Sequence, residues 1–359
     1  MKNFTCQCGN TVHFPNTHCI ACQLPLGFVP EEIRLSAFTT DVSGNLQAAI
    51  NGKTYRKCKN YEGLDVCNWM VPADDPHEYC LSCRLNETIP NLQEPGNLEL
   101  WFRLEAAKRR LLYTCLQLRL PIEDRKSNPR TGLGFAFKQD QVEDQFGNEL
   151  IVKEWVTTGH ANGLITINLN EADHAVRVQM REKMGERYRT LLGHFRHESG
   201  HYFWDRLVAN SHYLEEFRRL FGDERLDYIS ALQNYYANGP SQNWQNVWIS
   251  AYASMHPWED WAETWAHYLH MVDTLETANQ YQFSVSGNLI ANPISTHIHH
   301  DDTYTAVSFT HLFNDWCQLT KVLNGLNRSM GHDDAYPFII SISALDKLRF
   351  VHEVIMGQD

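Results

Sequence analysis

Eight of the ten cysteines in this 359-residue chain fall before residue 84, in two groups of four. The groups are Cys6, Cys8, Cys19, Cys22 and Cys58, Cys67, Cys80, Cys83. Four thiolates are what a closed tetrahedral Zn²⁺ site uses, and Cys-x-x-Cys pairs are typical of the turns that hold such an ion. We therefore predict two structural zinc sites, in small β-rich zinc ribbons over residues 1–90.

Alternatives remain for the cysteine ligands. A histidine could replace a thiolate, and the candidates are His13, His18 and His77. Disulfides are not expected, because the N-terminus lacks the apolar stretch of a secretory signal and we expect the chain in the cytoplasm. Turn signals between Thr39 and Arg56 predict a hairpin between the two sites. A closed site leaves no open coordination position, so we expect the ribbons to brace the fold or bind a protein partner.

Charge and hydropathy argue against two classes of partner. The formal net charge is −12 at pH 7, so binding of nucleic acid through bulk electrostatics is not expected. The sequence has no run of 18 apolar residues, so a membrane-spanning helix is not expected either. The remaining thiols, Cys115 and Cys317, fall in predicted helices and are interpreted as packing residues.

The run His197-Glu198-Ser199-Gly200-His201 matches the pattern H-E-x-x-H. Residues four apart share a helix face, so His197 and His201 can bind one Zn²⁺. Glu198 is then placed to take a proton from a zinc-bound water, as in zincin metallopeptidases. The alternative is a helix with two unrelated histidines. Gly200 costs about 1 kcal/mol of helix stability relative to alanine, which favours a role in close packing.

A catalytic Zn²⁺ needs a third protein ligand, and Glu259 and Glu263 are the best candidates. They lie four apart after Pro257, which suits the first turn of a helix. One can bind zinc, and the other can accept the N–H of a ligating histidine. A solvated acidic face is the alternative, although tryptophans and alanines surround the pair. Rival ligands are His256, His267 and His270. His194 is expected to pack in the core or to support a ligand, and not to bind the metal itself.

Periodicity indicates a mainly α-helical domain over residues 96–359, after a linker at 87–97 that contains prolines and glycine. Helices are predicted over 98–118, 171–184, 187–208, 212–221, 225–236, 258–280, 304–326 and 343–356. Strands are predicted within 132–156, with a turn at 146–148, and over Gly163–Asn170. A further cluster is interpreted as a polar loop that leads into a helix, with adventitious metal chelation as the alternative; it comprises His297, His299, His300, Asp301 and Asp302.

The pattern Glu259-x-x-Ala262-Glu263 after the H-E-x-x-H run resembles the gluzincins, the thermolysin-like metallopeptidases. The resemblance implies that Glu259 is the third zinc ligand and that Glu263 supports a ligating histidine. Tyr252 resembles the tyrosine that some gluzincin toxins place near zinc to stabilise the oxyanion. A core tyrosine, or His256 in that role, is the alternative. In zincins a substrate-binding edge strand precedes the metal helix, and Gly163–Asn170 stands in that place.

More closely, the chain resembles the bacterial putative zinc-binding metallopeptidases that carry N-terminal zinc ribbons. The matching segments are Cys67-Asn-Trp, Cys80-x-x-Cys83-Arg-Leu-Asn, Glu105-Ala-Ala-Lys-Arg-Arg-Leu-Leu, Thr158-Gly-His, Thr166-Ile-Asn-Leu-Asn-Glu-Ala-Asp173, Tyr188-Arg-Thr-Leu-Leu-Gly-His, Asn327-Arg-Ser-Met-Gly331 and Tyr336-Pro-Phe338. They span nearly the whole chain, and Arg187 stands where the family pattern has proline. The resemblance implies an α+β fold, in which ribbons precede a mainly α-helical zincin-like domain with a small edge-strand sheet.

Together these patterns predict a cytoplasmic zinc metallopeptidase with one catalytic and two structural zinc ions. Its substrate would be a peptide or protein, and Glu198 would act as the general base. The alternative function is a zinc-ribbon interaction module on a degenerate peptidase scaffold. A third hypothesis is a metal-dependent hydrolase of another amide bond.

Overall fold

The computed structural model describes residues 3–42, 44–145, 149–184, 190–294, 297–298, 304–305 and 308–357. The chain forms two compact units, one of residues 1–117 and 121–195, the other of residues 118–120 and 196–359. Small sheets dominate the N-terminal ninety residues, and long helices dominate the second unit. The predicted α+β class is confirmed.

The first unit contains most of the strands. They are β1 Phe4–Thr5, β2 Thr11–Val12, β3 Leu26–Val29, β4 Arg34–Thr40, β5 Leu46–Ala48, β6 Thr54–Lys57, β7 Met70–Pro72, β8 Asn86–Thr88, β9 Gly134–Lys138, β10 Gln141–Gln145, β11 Glu149–Glu154, β12 Gly159–Ala161 and β13 Leu164–Asn168. Its helices are α1 Lys59–Glu62, α2 Asn97–Gln117 and α3 His174–Met184. The next helix, α4 Leu191–Leu207, continues into the second unit.

Strands β3 to β7 form one antiparallel sheet in sequence order, which includes the hairpin predicted between the two cysteine groups. An aromatic cluster joins this region to α2. The ring of Phe28 lies 4.6 Å from that of Trp69 at a tilt of 35°, and Phe14 lies edge-on at 5.5 Å from Tyr113 of α2. This packing places the ribbon region and α2 in one compact unit, whereas composition predicts a boundary at residues 90–96. The boundary itself stays a prediction.

The second sheet of this unit has the order β12-β13-β9-β8. Strand β8 begins just before the predicted linker and pairs in parallel with β9. The strand predicted over Gly163–Asn170 is present as β13, with Ile165 and Ile167 fully buried on one face. It is not a free edge, because β12 pairs with it antiparallel over Leu164–Thr166 and β9 pairs with its other side. The expectation of an open edge at β13 is therefore wrong.

The second unit is built from helices. They are α5 Leu214–Phe221, α6 Tyr228–Asn238, α7 Pro257–Gln280, α8 Phe309–Ser329 and α9 Ile342–Met356, with short strands β14 Ser284–Val285, β15 Asn288–Leu289, β16 His297–Ile298 and β17 Tyr304–Thr305. Helix α8 begins five residues later than predicted, because Ser308 caps it by accepting from His311 N–H and residues 304–305 are extended. The predicted turn at 146–148, and His299 to Asp302, lie outside the described residues.

Helix α7 is buried on most sides, and α4 packs directly against it. Trp261 donates its indole N–H to the Gly200 carbonyl at 2.8 Å, and Trp265 donates to Ser199 Oγ at 3.2 Å. A Cβ added to Gly200 would lie 2.9 Å from the Ala262 Cα, so glycine is what permits this approach. Among the described residues, every helix is too short or too polar to cross a membrane.

Candidate metal centres

Helix α4 carries the H-E-x-x-H residues on its inner side. His201 and Glu198 are buried, and the His197 side chain is 12% exposed. The two imidazole rings, one helical turn apart, have their centroids 5.0 Å from each other. The ring of Trp258 lies 4.0 Å from the ring of His201 and covers it. The helix therefore offers two imidazoles and one carboxylate in a sheltered space.

Helix α7 supplies the acidic residues from its first two turns. Pro257 opens the helix, and His256 caps it, since His256 Nδ1 accepts from Trp258 N–H at 3.1 Å. The other ring nitrogen of His256 donates to the Leu226 carbonyl at 3.0 Å. Both nitrogens are thus occupied, and His256 serves as a helix cap. This start fixes the first turn, in which Glu259 is 2% exposed.

The three predicted ligands converge. One donor atom each from His197, His201 and Glu259 lie within 4.8 Å of one another. Glu259 Oε2 is 2.9 Å from His197 Nε2, and Glu259 Oε1 is 3.5 Å from His201 Nε2. Ligand atoms about 2.1 Å from a tetrahedral Zn²⁺ stand roughly 3.4 Å apart, so these separations fit one ion. We call this group the His/Glu site.

Glu263 fixes the orientation of one of these ligands. His197 Nδ1 donates to Glu263 Oε1 at 2.7 Å, and Ser250 Oγ donates to Glu263 Oε2 at 2.6 Å. With its proton on Nδ1, neutral His197 presents the lone pair of Nε2 toward Glu259. Two facing lone pairs repel, so a cation must lie between Nε2 and the carboxylate, either a proton or a metal ion.

The electrostatics of the metal-free site fit this arrangement. Burial disfavours the charged imidazole, but hydrogen bonds with Glu259 and Glu263 outweigh it and hold the pKa of His197 well above its ordinary value. Burial likewise opposes ionisation of Glu259, yet the charge of His201 and the bond to His197 keep its pKa well below the usual range. Burial also opposes ionisation of Glu263, but the hydrogen bond and the charge of His197 outweigh it and lower the pKa of Glu263 to about 2. The acids are thus charged at neutral pH and favour a bound cation.

Two tyrosines border the His/Glu site. Tyr228 donates its hydroxyl to Glu259 Oε1 at 2.8 Å. The Tyr252 ring, proposed from the resemblance, lies 6.0 Å from the His197 ring. Burial, then the charge of Glu259, raises the pKa of both phenols, so both are donors at neutral pH. Sequence reasoning missed Tyr228 and Ser250, because neither stands at a recognisable spacing from the motif.

The rival histidines have other partners. His267 Nδ1 lies 2.8 Å from the Tyr336 hydroxyl, and His270 Nδ1 lies 3.3 Å from an Arg196 nitrogen. His194 Nδ1 contacts Glu171 within the first unit. In the part of the chain that the structure describes, none of these histidines joins the three converging ligands.

The cysteines form two clusters. In each, four sulfurs lie within 4.8 Å of one another, and the members are Cys6, Cys8, Cys19, Cys22 and Cys58, Cys67, Cys80, Cys83. Sulfur separations are 3.6 Å for Cys6–Cys22 and 3.7 Å for Cys67–Cys80. A tetrahedral site with Zn–S bonds of about 2.3 Å has sulfurs about 3.8 Å apart, whereas disulfide sulfurs are bonded at about 2.0 Å. We call these clusters the first and second cysteine sites.

Backbone N–H groups shape the turns of the cysteine sites and contact their sulfurs. Gly9 has a φ of +87° and donates its N–H to the Cys6 carbonyl at 2.8 Å, which closes the turn between Cys6 and Cys8. In the second site, Trp69 N–H points to Cys67 Sγ at 3.3 Å and Cys80 N–H to Cys58 Sγ at 3.4 Å. Such N–H groups stabilise thiolates. His13, His18 and His77 are not among these ligand clusters.

Comparisons with known proteins agree with a zinc-ribbon region followed by a zinc-binding domain. A family model described as a putative zinc-binding metallo-peptidase matches residues 97–354, and a model described as a zinc-ribbon domain matches residues 3–94. Uncharacterized proteins of Mycobacterium bovis and Mycobacterium tuberculosis are 40% identical over 357 residues, covering 99% of this chain and 95% of theirs. No solved structure matches the chain.

Proposed function

Because the chain belongs to the family of putative zinc-binding metallo-peptidases, we propose that it hydrolyses peptide bonds at the His/Glu site. In this proposal His197, His201 and Glu259 hold one catalytic zinc ion. The two cysteine sites hold one structural zinc ion each and leave no open position for chemistry. The substrate class is a peptide or protein.

The observation that carries the proposal is the convergence of three ligands from two helices. Three protein ligands and an open fourth position are what catalytic zinc sites have in common, whereas structural sites are closed by four. Glu263 and Ser250 add support, because they orient His197 from behind. Outer contacts of this kind set ligand basicity and metal affinity.

A zinc ion bound there would acidify a water molecule and polarise the scissile carbonyl. The chain's own residues would do the rest. Glu198 is buried beside His197, so its carboxylate can take a proton from the attacking water and pass it to the leaving amine. Tyr252, protonated and near His197, can donate a hydrogen bond to the oxyanion.

The test is the Glu198→Gln protein, compared with wild type and with Glu215→Gln, an exposed position on α5. Loss of general base catalysis lowers hydrolysis about 10²–10⁴-fold. Glutamine keeps the shape of the side chain, so Glu198→Gln should retain the same zinc content, three ions per chain. Cleavage is followed by proteome-wide profiling of peptide termini, because no particular substrate is assumed.

Each outcome separates the alternatives. Cleavage by wild type and Glu215→Gln but not by Glu198→Gln supports the proposal. Equal cleavage by all three removes Glu198 from its role. Two zinc ions per chain and no cleavage favour the interaction module on a degenerate scaffold, and hydrolysis of non-peptide amides alone favours the third hypothesis. The predicted cytoplasmic location stays a prediction.

A further inference from the structure

Helix α6 is exposed, yet it reaches the His/Glu site. It begins at Tyr228, where Asp227 Oδ1 accepts from Ser230 N–H at 3.0 Å, and none of its residues is buried. Tyr228, its first residue, donates to Glu259 Oε1 at 2.8 Å. Helix α6, which has no buried residue, therefore provides a hydrogen bond to Glu259, which is only 2% exposed.

The hydrogen bond distinguishes the two oxygens of the ligand. Oε1 of Glu259 accepts from Tyr228 and lies 3.5 Å from His201 Nε2, whereas Oε2 lies 2.9 Å from His197 Nε2. A carboxylate that rotates freely can bind a metal through either oxygen or through both. One that is held by a phenol on one oxygen has a single preferred orientation.

The surroundings keep Tyr228 in place. Its ring lies edge-on to the ring of His256 at 5.4 Å and to the ring of Trp258 at 6.3 Å. His256 is itself fixed, because it caps α7 and donates to the Leu226 carbonyl just before α6. The start of α6 and the start of α7 are thus joined through one histidine, and the Tyr228 hydroxyl approaches Glu259 from this junction.

We propose that Tyr228 is a positioning residue that restrains Glu259 so that it presents one oxygen to the metal. This inference rests on the proposed function, since it assumes a metal at the His/Glu site. A carboxylate bound through both oxygens would fill the fourth position, which water needs for hydrolysis. Tyr228 acts through Glu259 and takes no part in proton transfer.

The test is a double-mutant cycle on zinc affinity, measured by competition with a chelator on the full chain. The proteins are wild type, Tyr228→Phe, Glu259→Gln and the double variant, with Tyr236→Phe as the control because Tyr236 is 63% exposed on the same helix. Phenylalanine keeps the aromatic packing and removes only the hydroxyl. Tyr228→Phe should weaken zinc binding at the His/Glu site about 10–100-fold, as for other outer-shell partners of ligands.

In the Glu259→Gln background the further effect of Tyr228→Phe should be less than about twofold, since a residue that acts through Glu259 loses its route. Tyr236→Phe should behave as wild type. An equal loss in both backgrounds, or no loss in either, overturns the inference. If wild type hydrolyses peptides and Tyr228→Phe is unchanged, only this inference fails. If wild type binds no zinc at the His/Glu site, both proposals fail.

Discussion

The cysteine sites and the His/Glu site bring their proposed ligands together by different means. Each cysteine site takes all four ligands from short turns within about 26 residues of chain, and its sulfurs are already at tetrahedral spacing. The His/Glu site takes two ligands from α4 and one from α7, so its geometry depends on how two long helices pack. The first kind can organise a small fold, whereas the second kind needs a fold that exists before the metal binds.

The two cysteine sites also differ from each other. All four cysteines of the second site are buried, whereas Cys8 of the first is exposed and Cys22 is partly so. The second site is contacted by Trp69, whose N–H points to Cys67 Sγ and whose buried ring lies 4.6 Å from the buried ring of Phe28. Loss of metal should therefore matter most at the second cysteine site, less at the first, and least for folding at the His/Glu site.

The largest expected effect tests this ranking. Cys80→Ser should remove one zinc ion and unfold the N-terminal region, because structural zinc contributes on the order of 10 kcal/mol in zinc-finger peptides. Cys8→Ser should remove one ion with a smaller loss of stability, and His201→Gln should remove one ion while the helices stay folded. Zinc content and thermal unfolding by circular dichroism measure both quantities. Equal destabilisation by all three would break the comparison.

The contact of Glu263 with His197 gives the next effect. Glu263→Gln keeps a carbonyl that accepts from Nδ1 but removes the charge that favours the bound cation. Zinc affinity at the His/Glu site should fall about 10–100-fold, with both cysteine sites unaffected. Chelator competition measures it, and the exposed Glu215→Gln serves as control. Unchanged affinity would mean that the 2.7 Å contact contributes only to packing.

Close packing of α4 on α7 is tested by two glycines with opposite surroundings. Gly200→Ala should destabilise by about 1–3 kcal/mol through overpacking, since its Cβ would meet the Ala262 Cα at 2.9 Å. Gly325→Ala, in α8 with nothing within 4 Å of its Cβ, should instead stabilise by up to about 1 kcal/mol. Denaturant unfolding compares the two. Stabilisation by both would show that the helix interface is not tight.

As the pH falls, the cysteine sites and the His/Glu site should lose zinc affinity with different slopes. Zinc displaces protons, so affinity is full above the metal-free pKa values and is lost as pH falls below them. Thiols ordinarily have a pKa of about 8.5, so zinc displaces protons when it binds to a cysteine site. Burial raises the pKa of Cys80 well above its ordinary value, whereas hydrogen bonds from the backbone of Cys22 lower the pKa of Cys19 to about 6. At the His/Glu site the pKa of Glu259 is lowered and that of His197 is raised, so protons compete with zinc at His197 and not at this carboxylate.

Each displaced proton changes zinc affinity about tenfold per pH unit, so affinity should fall more steeply at the cysteine sites than at the His/Glu site. Zinc titrations between pH 8 and pH 6 measure the two slopes. Parallel slopes would contradict the assignment of thiolates to one kind of site and imidazoles to the other.

Local patterns determined much of this protein. Cysteine spacing predicted the two clusters, and four-residue spacing on helices placed His197 beside His201 and Glu259 near Glu263. Periodicity predicted α2, α7 and α9 to within one residue at every end. These features could be predicted because ligand turns and helix faces depend on residues only a few positions apart.

Only the tertiary structure decided the features that depend on distant pairs. It brought Tyr228 of α6 and Ser250 to the acids of α7, and it gave His256 the role of a cap where the sequence left it as a rival ligand. It also covered β13 with β12, where the sequence favoured an open edge. The physical reason is that side-chain periodicity reports which face is buried, while the identity of the partner on that face is set by the packing of elements far apart in the chain.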